Sequence, residues 1–109
     1  MTAPPTFRKR SEDGRIPISE RQFQNQVLQL ARLYGWLAYH TWSSIHSAAG
    51  FPDLVLVRPP RLLFLELKSA KGKLSPTQLQ WGSALSACPG AWYGVFRPDD
   101  LERIADLLA

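Results

Sequence analysis

Cysteine, histidine and long apolar runs are scarce in this chain of 109 residues. Cys88 is the only cysteine, so an internal disulfide is excluded. Only His40 and His46 could join it as ligands, which argues against a structural zinc site. The sequence has no apolar run near the ~20 residues that cross a bilayer, and it does not begin with a charged-then-apolar leader. We therefore expect a soluble, cytoplasmic protein with no membrane partner.

Carboxylates are scarce in the middle of the chain. Between Ile16 and Pro98 the only acidic residues are Glu20, Asp53 and Glu66, against eight lysines and arginines. Protein surfaces usually intersperse acids with bases. Three isolated acids among bases are therefore unusual and indicate a specific role. The net charge of +4 and the pI near 9.6 favour an anionic partner such as nucleic acid.

The length fits one domain. Residues 1–17 are rich in proline, threonine and charge without a helix or strand period, and we expect a flexible basic arm. The arm is either inert or in non-specific contact with phosphates. Residues 18–109 are expected to form the folded domain.

Apolar periodicity and turn residues predict seven elements in the order α-β-β-β-α-β-α. Helices are expected to begin after Ser19 and Ser75, each the first residue of a capping box, and after Asp99 as a cap. Strands are expected near 36–42, 53–58, 62–68 and 91–96. Short connections predict an antiparallel meander for the first three, and the helical crossover predicts a fourth strand parallel to the third. The fold class is α/β, with a mixed four-stranded sheet flanked by helices.

Asp53 and Glu66 lie in apolar strand segments, where a buried carboxylate costs several kcal/mol, roughly, unless a cation satisfies it. Strand alternation puts Glu66 and Lys68 on one face. Glu20 and Gln78 occupy the first turns of the two capped helices, on their apolar sides. Simpler interpretations remain: Asp53 as a strand-start cap, Glu66 and Lys68 as a surface ion pair, and Glu20 as a favourable charge at a helix N-terminus.

Carboxylate oxygens without imidazole or thiolate suit a hard cation such as Mg²⁺, with Mn²⁺ as a substitute. Such an ion polarises a phosphoryl oxygen and lowers the pKa of bound water, and a neighbouring lysine can orient that water. The pattern therefore predicts phosphodiester hydrolysis.

Gly50-Phe51-Pro52-Asp53 followed by Glu66-Leu67-Lys68 resembles the PD-(D/E)xK nuclease motif. The segment 71–80, Lys-Gly-Lys-Leu-Ser-Pro-Thr-Gln-Leu-Gln, is similar to the one that characterises the VRR-NUC subgroup. The resemblance implies a restriction-endonuclease-like core over roughly 19–108. It also implies that Asp53, Glu66 and the Leu67 carbonyl bind metal, that Lys68 is the catalytic lysine, and that Glu20 and Gln78 complete the site, with Glu20 binding metal directly or through water.

The resemblance further implies a Mg²⁺-dependent DNA endonuclease, structure-specific on branched DNA such as Holliday junctions. It implies a homodimer of a bacterial or phage-infected cell, with no cofactor besides the divalent metal. The alternatives are a non-catalytic nucleic-acid-binding module on a nuclease fold and a nuclease for linear or nicked duplex. DNA contacts are expected from Lys71 and Lys73 in the loop after the third strand, and from Arg58 and Arg61 at the hairpin tip.

Overall fold

The computed structural model describes residues 18–41 and 47–109. Four strands and three helices follow the predicted order, with a 3-10 turn at Pro98–Asp100 before the last helix. The elements are α1 (Glu20–Leu33), β1 (Leu37–His40), β2 (Leu54–Arg58), β3 (Arg61–Leu67), α2 (Pro76–Ser86), β4 (Trp92–Phe96) and α3 (Leu101–Leu108). The predicted basic arm and His46 lie outside the described residues.

The strands form one sheet in the order β1-β2-β3-β4. The pairs β1–β2 and β2–β3 are antiparallel, and β3–β4 is parallel, which confirms the predicted mixed sheet. In the β2–β3 ladder Leu54 pairs with Leu65. One step beyond that pair, Asp53 faces Glu66 across the end of the hairpin.

The hydrophobic core lies between one face of the sheet and the helices α1 and α3. Alternate strand residues such as Leu54, Leu56 and Leu65 are fully buried there, against Phe23 of α1 and Ile104 of α3. Burial of each such side chain contributes about 1.5–3 kcal/mol to stability, which fixes the register of the strands. That register in turn fixes which residues of β2 and β3 point to the opposite face.

Helix α2 packs on the opposite face, near β4. The two elements come close at Gly82, where an added Cβ would stand 2.6 Å from the Tyr93 ring. The predicted apolar stripe of Gln78, Trp81, Leu85 and Cys88 is only partly correct, because α2 ends at Ser86 and Cys88 is exposed. Gly82 is the one buried residue of α2, so close backbone approach, and not a stripe of large side chains, seats this helix.

Several predicted boundaries were wrong by one or two residues, and two of the shifts matter for function. Asp53 precedes β2 and Lys68 follows β3, so both lie in connections at the sheet end and not in the ladder. The last helix begins at Leu101, because the Asp100 carboxylate accepts the Arg97 N–H at 2.8 Å and closes a 3-10 turn first. Asp99 is therefore not its cap. No helix among the described residues is long and apolar enough to span a bilayer.

Candidate active site

Two carboxyl groups meet where β2 begins and β3 ends. Glu66 is 2% exposed and is the only charged residue in the buried core of the described chain. Asp53 lies half-buried beside it, and its Oδ2 accepts the Leu67 N–H at 2.8 Å. The backbone hydrogen bond fixes the Asp53 side chain against β3, so the two acids are held together by the hairpin itself.

The proximity of these acids shifts their protonation. Burial first, and then the charge of Asp53, raises the pKa of Glu66 from 4.5 to about 8. Burial also raises the pKa of Asp53, which the Leu67 N–H partly opposes. Lys68 acts in the other direction and lowers the pKa of both acids. Without a further cation, the pair therefore favours keeping a proton at neutral pH.

Gln78 reaches this pair from α2. Its Oε1 accepts the Ser75 N–H at 2.8 Å while Ser75 Oγ accepts the Gln78 N–H at 3.2 Å, which completes the predicted capping box. The same amide then donates from Nε2 to Glu66 Oε2 at 3.0 Å. The capping box thus orients the Gln78 side chain toward the acid, and it leaves the NH₂ side of the amide for Glu66.

Glu20 lies at the same end of the sheet, on α1, which packs on the other face. The Ser19–Gln22 capping box starts α1 and puts Glu20 in its first turn. Glu20 Oε2 accepts the Ser69 N–H at 3.0 Å. Its negative charge contributes to the raised pKa of both Asp53 and Glu66. The two helix starts and the β2–β3 hairpin therefore converge on one place, as the sequence predicts.

Gly50 and Phe51, in the loop that precedes Asp53, pack against α2. Gly50 has φ +86°, and an added Cβ would stand 2.5 Å from the Thr77 backbone and 2.8 Å from the nitrogen of Gln78, so only glycine fits. The Phe51 ring packs edge-to-face on Trp81 at 5.0 Å. These contacts fix the Asp53 loop relative to the helix that carries Gln78.

The donors suit a divalent cation of the hard class. Asp53 and Glu66 offer only oxygens, and a buried pair of acids is the chemistry that such an ion neutralises. The Leu67 carbonyl stays a predicted third donor. Within 18–41 and 47–109, the structure has no group of three or more His, Cys, Asp or Glu side chains arranged to hold a metal. Mg²⁺ is an ion of the hard class that is commonly held by one or two carboxylates and keeps several waters.

The predicted DNA-contacting residues fall into two places. Lys71 and Lys73 are exposed in the loop after Lys68. Arg58 and Arg61 lie at the other end of the hairpin, where their guanidinium groups stack on Trp36 at 4.7 and 4.9 Å. Arg58 also donates to carbonyls near the ends of α1 and α3, and Arg61 donates to the Leu107 carbonyl of α3. These contacts give the two arginines a structural role, and DNA binding by them stays a prediction.

Two residues near the site were not identified from the sequence. Tyr93 of β4 pairs with Phe64, on the face of Glu66, and its pKa is raised by burial and by the charges of Glu66 and Asp53. Strand alternation in β4 could have found it. Arg97 donates to two carbonyls of the loop after Lys68. Its position after β4 carries no sequence signal, because the contact depends on how the parallel strand docks.

A family model described as the VRR-NUC domain matches residues 18–95, which include α1, β1, β2, β3, α2 and all of β4 but its last residue. The chain belongs to the VRR-NUC family. This confirms the resemblance found in the motif residues, and the VRR-NUC chain is accordingly a nuclease domain of a family that generally uses divalent metals. No curated protein matches the sequence.

Solved structures share the fold of this chain. One named as a VRR-NUC domain superposes with TM-score 0.65 at 20% identity, over 80% of this chain and 94% of that one. A second, named as a VRR-NUC domain protein, has TM-score 0.63 at 19% identity, over 84% and 87% of the two chains. At such identities the likeness shows the fold alone. The Holliday junction resolvase Hjc of Archaeoglobus fulgidus has TM-score 0.49 at 22% identity, over 72% and 67% of the chains, which supports no functional conclusion.

Proposed function

We propose that this VRR-NUC domain is a Mg²⁺-dependent DNA endonuclease that hydrolyses phosphodiester bonds in branched DNA. The observation that carries the proposal is the buried Glu66 beside Asp53, with Gln78 and Lys68 at the same pair. Two adjacent acids in a protein core are unfavourable unless a cation or a proton neutralises their charge. Perturbed carboxyl groups of this kind are typical of catalytic sites.

In this proposal the metal would be held by Asp53, Glu66 and the Leu67 carbonyl, with Glu20 contributing directly or through water. When bound, the ion supplies charge neutralisation at the phosphate and a more acidic water. The Leu67 N–H keeps Asp53 turned toward β3, and Gln78 Nε2 holds one oxygen of Glu66. Both acids are thus oriented before any ligand arrives, which lowers the reorganisation that binding requires.

Lys68 has a separate role in the proposal. Its ammonium lies close enough to the acids to lower the pKa of both. A cation there stabilises the negative charge that develops on the phosphate oxygens during attack, and it can orient the attacking water. Lys71 and Lys73 extend the positive charge along the exposed loop, where DNA phosphates would approach the site.

A homodimer belongs to the same proposal, because two sites are needed to cut paired strands of a branch. The edge strand β1 supports it: Leu37 is 73% exposed and Tyr39 58%, and Leu33 just before them is 74% exposed. A cluster of exposed apolar side chains on and beside an edge strand favours protein association. Sedimentation equilibrium should give twice the monomer mass, and a monomer at every concentration would contradict this part of the proposal.

The decisive experiment incubates the full chain with a labelled four-way junction, in Mg²⁺ and in EDTA. Cleavage should require the metal, and Asp53→Asn should abolish it. The matched control is Asp106→Asn, which makes the same chemical change at an exposed position of α3. Cleavage that persists in Asp53→Asn would overturn the proposal. Tight binding without turnover in any divalent metal would favour the non-catalytic binding module, and faster cutting of linear or nicked duplex would reassign the substrate.

A further inference from the structure

Arg97 fastens the loop that follows the proposed catalytic lysine. We call residues 68–73 the lysine loop, since it contains Lys68, Lys71 and Lys73. The half-buried Arg97 follows β4, and its Nη1 donates to the carbonyls of Ser69 at 2.6 Å and Gly72 at 2.7 Å. Two short charge-assisted hydrogen bonds to one turn of backbone are a strong local restraint.

The lysine loop is held from two other directions. Glu20 Oε2 accepts the Ser69 N–H at 3.0 Å, so Ser69 is bonded through its backbone nitrogen to α1 and through its carbonyl oxygen to Arg97. The Lys68 N–H donates to the Phe96 carbonyl at 2.9 Å. The backbone on both sides of the Lys68 side chain is therefore tied to residues of other elements or of the connections beside them.

The turn also lies beside the Lys68 side chain. A methyl group added at Gly72 would stand 3.3 Å from Lys68 Cε, 2.9 Å from Ser69 Oγ and 3.5 Å from Glu20 Oε2. The main chain of Gly72 therefore packs beside the end of the lysine and the carboxylate of Glu20. Moving this turn changes the space in which the ammonium group lies.

We propose that Arg97 is a positioning residue for Lys68: it holds the lysine loop so that Gly72 confines the lysine side chain near Asp53 and Glu66. The inference rests on the proposed nuclease function for its kinetic consequence. The restraint itself does not depend on that function. Arginine suits the task because it stays charged at all relevant pH values and is more weakly hydrated than a lysine.

The kinetic test uses Arg97→Ala in the full chain, with Arg103→Ala as the control because Arg103 is an exposed arginine of α3. Arg97→Ala should lower the single-turnover cleavage rate by about 10- to 100-fold without changing KM for DNA, as expected for a misplaced catalytic group. The same change in a Lys68→Met background should have no further effect. An equal loss in both backgrounds would overturn the inference, and Arg97→Lys should recover part of the rate.

A second test does not require activity. Hydrogen exchange of the Ser69 amide, measured without metal, should be faster in Arg97→Ala and unchanged in Arg103→Ala. Gly72→Ala should keep the fold, since the atoms it meets belong to side chains, and should slow cleavage in the same way. Unchanged Ser69 exchange in Arg97→Ala would overturn the inference. If the wild-type chain did not cleave DNA at all, the proposed function would fail, while the exchange measurement would still decide the restraint.

Discussion

The two ends of the β2–β3 hairpin each bring together two residues of like charge. At one end Asp53 faces Glu66, and at the other Arg58 pairs with Arg61. The arginines have carbonyl acceptors and the face of Trp36, so their repulsion is offset. The acids have donors from Leu67 and Gln78, yet their pKa values remain raised.

The difference distinguishes the two ends of the hairpin. We call the end with Arg58 and Arg61 the structural end and the end with Asp53 and Glu66 the chemical end. Arg58 and Arg61 tie the sheet to the C-terminal ends of α1 and α3, where helix dipoles favour cations. The acid pair lies beside the first turns of α1 and α2, and its raised pKa values show that its negative charge is incompletely compensated. Like-charged neighbours thus indicate a ligand site only where the fold leaves their charge incompletely satisfied.

Among the basic residues, the largest expected effect is on Lys68. Lys68→Met should reduce cleavage by about 10²- to 10³-fold, because it removes the cation that stabilises charge at the phosphate. Metal affinity should remain, since the proposed ligands are unchanged. Single-turnover rates and Mn²⁺ titration calorimetry measure the two properties. Loss of metal affinity in this variant would mean that the lysine orders the acid pair and does not act on the phosphate.

Gly50→Ala tests how much the packing of the Gly50 loop against α2 contributes to stability. The methyl group would meet the Thr77 and Gln78 backbone, and φ of +86° is itself unfavourable for alanine. We expect a loss of about 2–4 kcal/mol in the free energy of unfolding, by urea denaturation. Gly90→Ala is the control, because an added Cβ there meets nothing within 4 Å. Equal stability of the two variants would show that the close approach of Gly50 to α2 is unimportant.

Glu66→Gln should stabilise the metal-free chain at neutral pH while abolishing cleavage. The folded-state pKa of Glu66 is raised from 4.5 to about 8, so its contribution to stability is present below pH 4.5 and is lost as pH rises through 8. The amide keeps an acceptor for Gln78 and cannot ionise. In EDTA at pH 8 we expect a rise in Tm of roughly 5 °C, the scale of about 1 kcal/mol for a domain of this size.

The difference in Tm between Glu66→Gln and the wild type should vanish near pH 4. Thermal denaturation over pH 4–9 checks this course. A difference that stays constant across the range would show that the Glu66 charge does not destabilise the folded state. Added Mg²⁺ should stabilise the wild type and not the variant.

Arg58→Met should weaken the structural end without affecting chemistry. The substitution removes the hydrogen bonds to Tyr34 and Leu108 and the stacking on Trp36, and we expect a loss of about 2 kcal/mol in unfolding free energy. The cleavage rate below the unfolding temperature should not change. A slower cleavage rate with unaltered stability would show that Arg58 contacts DNA, as the sequence analysis expects, and is not a structural residue.

The smallest expected effect distinguishes the basic residues at the two ends. Replacing Lys71 and Lys73 by glutamine should flatten the salt dependence of DNA binding by about one unit of slope for each phosphate that is no longer neutralised. Arg58→Met should leave the slope unchanged. Fluorescence anisotropy over a range of salt concentrations gives both slopes. The opposite pattern would place DNA over the hairpin tip.

Much of the fold and of the candidate site follows from the sequence, because local patterns determine them. Two capping boxes fix where α1 and α2 begin, and apolar alternation fixes the faces of β2 and β3. Asp53 and Glu66 could be selected because acids are so few in mid-chain, and Lys68 because strand alternation puts it on the face of Glu66. The convergence of Glu20 and Gln78 on the acid pair was expected from the resemblance to the VRR-NUC family, which implies that both complete the site.

The contacts between distant parts of the chain were decided only by the tertiary structure. Arg97 reaches the lysine loop because β4 lies parallel to β3, and no pattern near Arg97 encodes that. Arg58 and Arg61 look like surface charges in sequence, yet the packing of α1 and α3 turns them inward onto Trp36. Local periodicity determines which face a residue occupies, whereas its partner across the fold depends on how the elements dock.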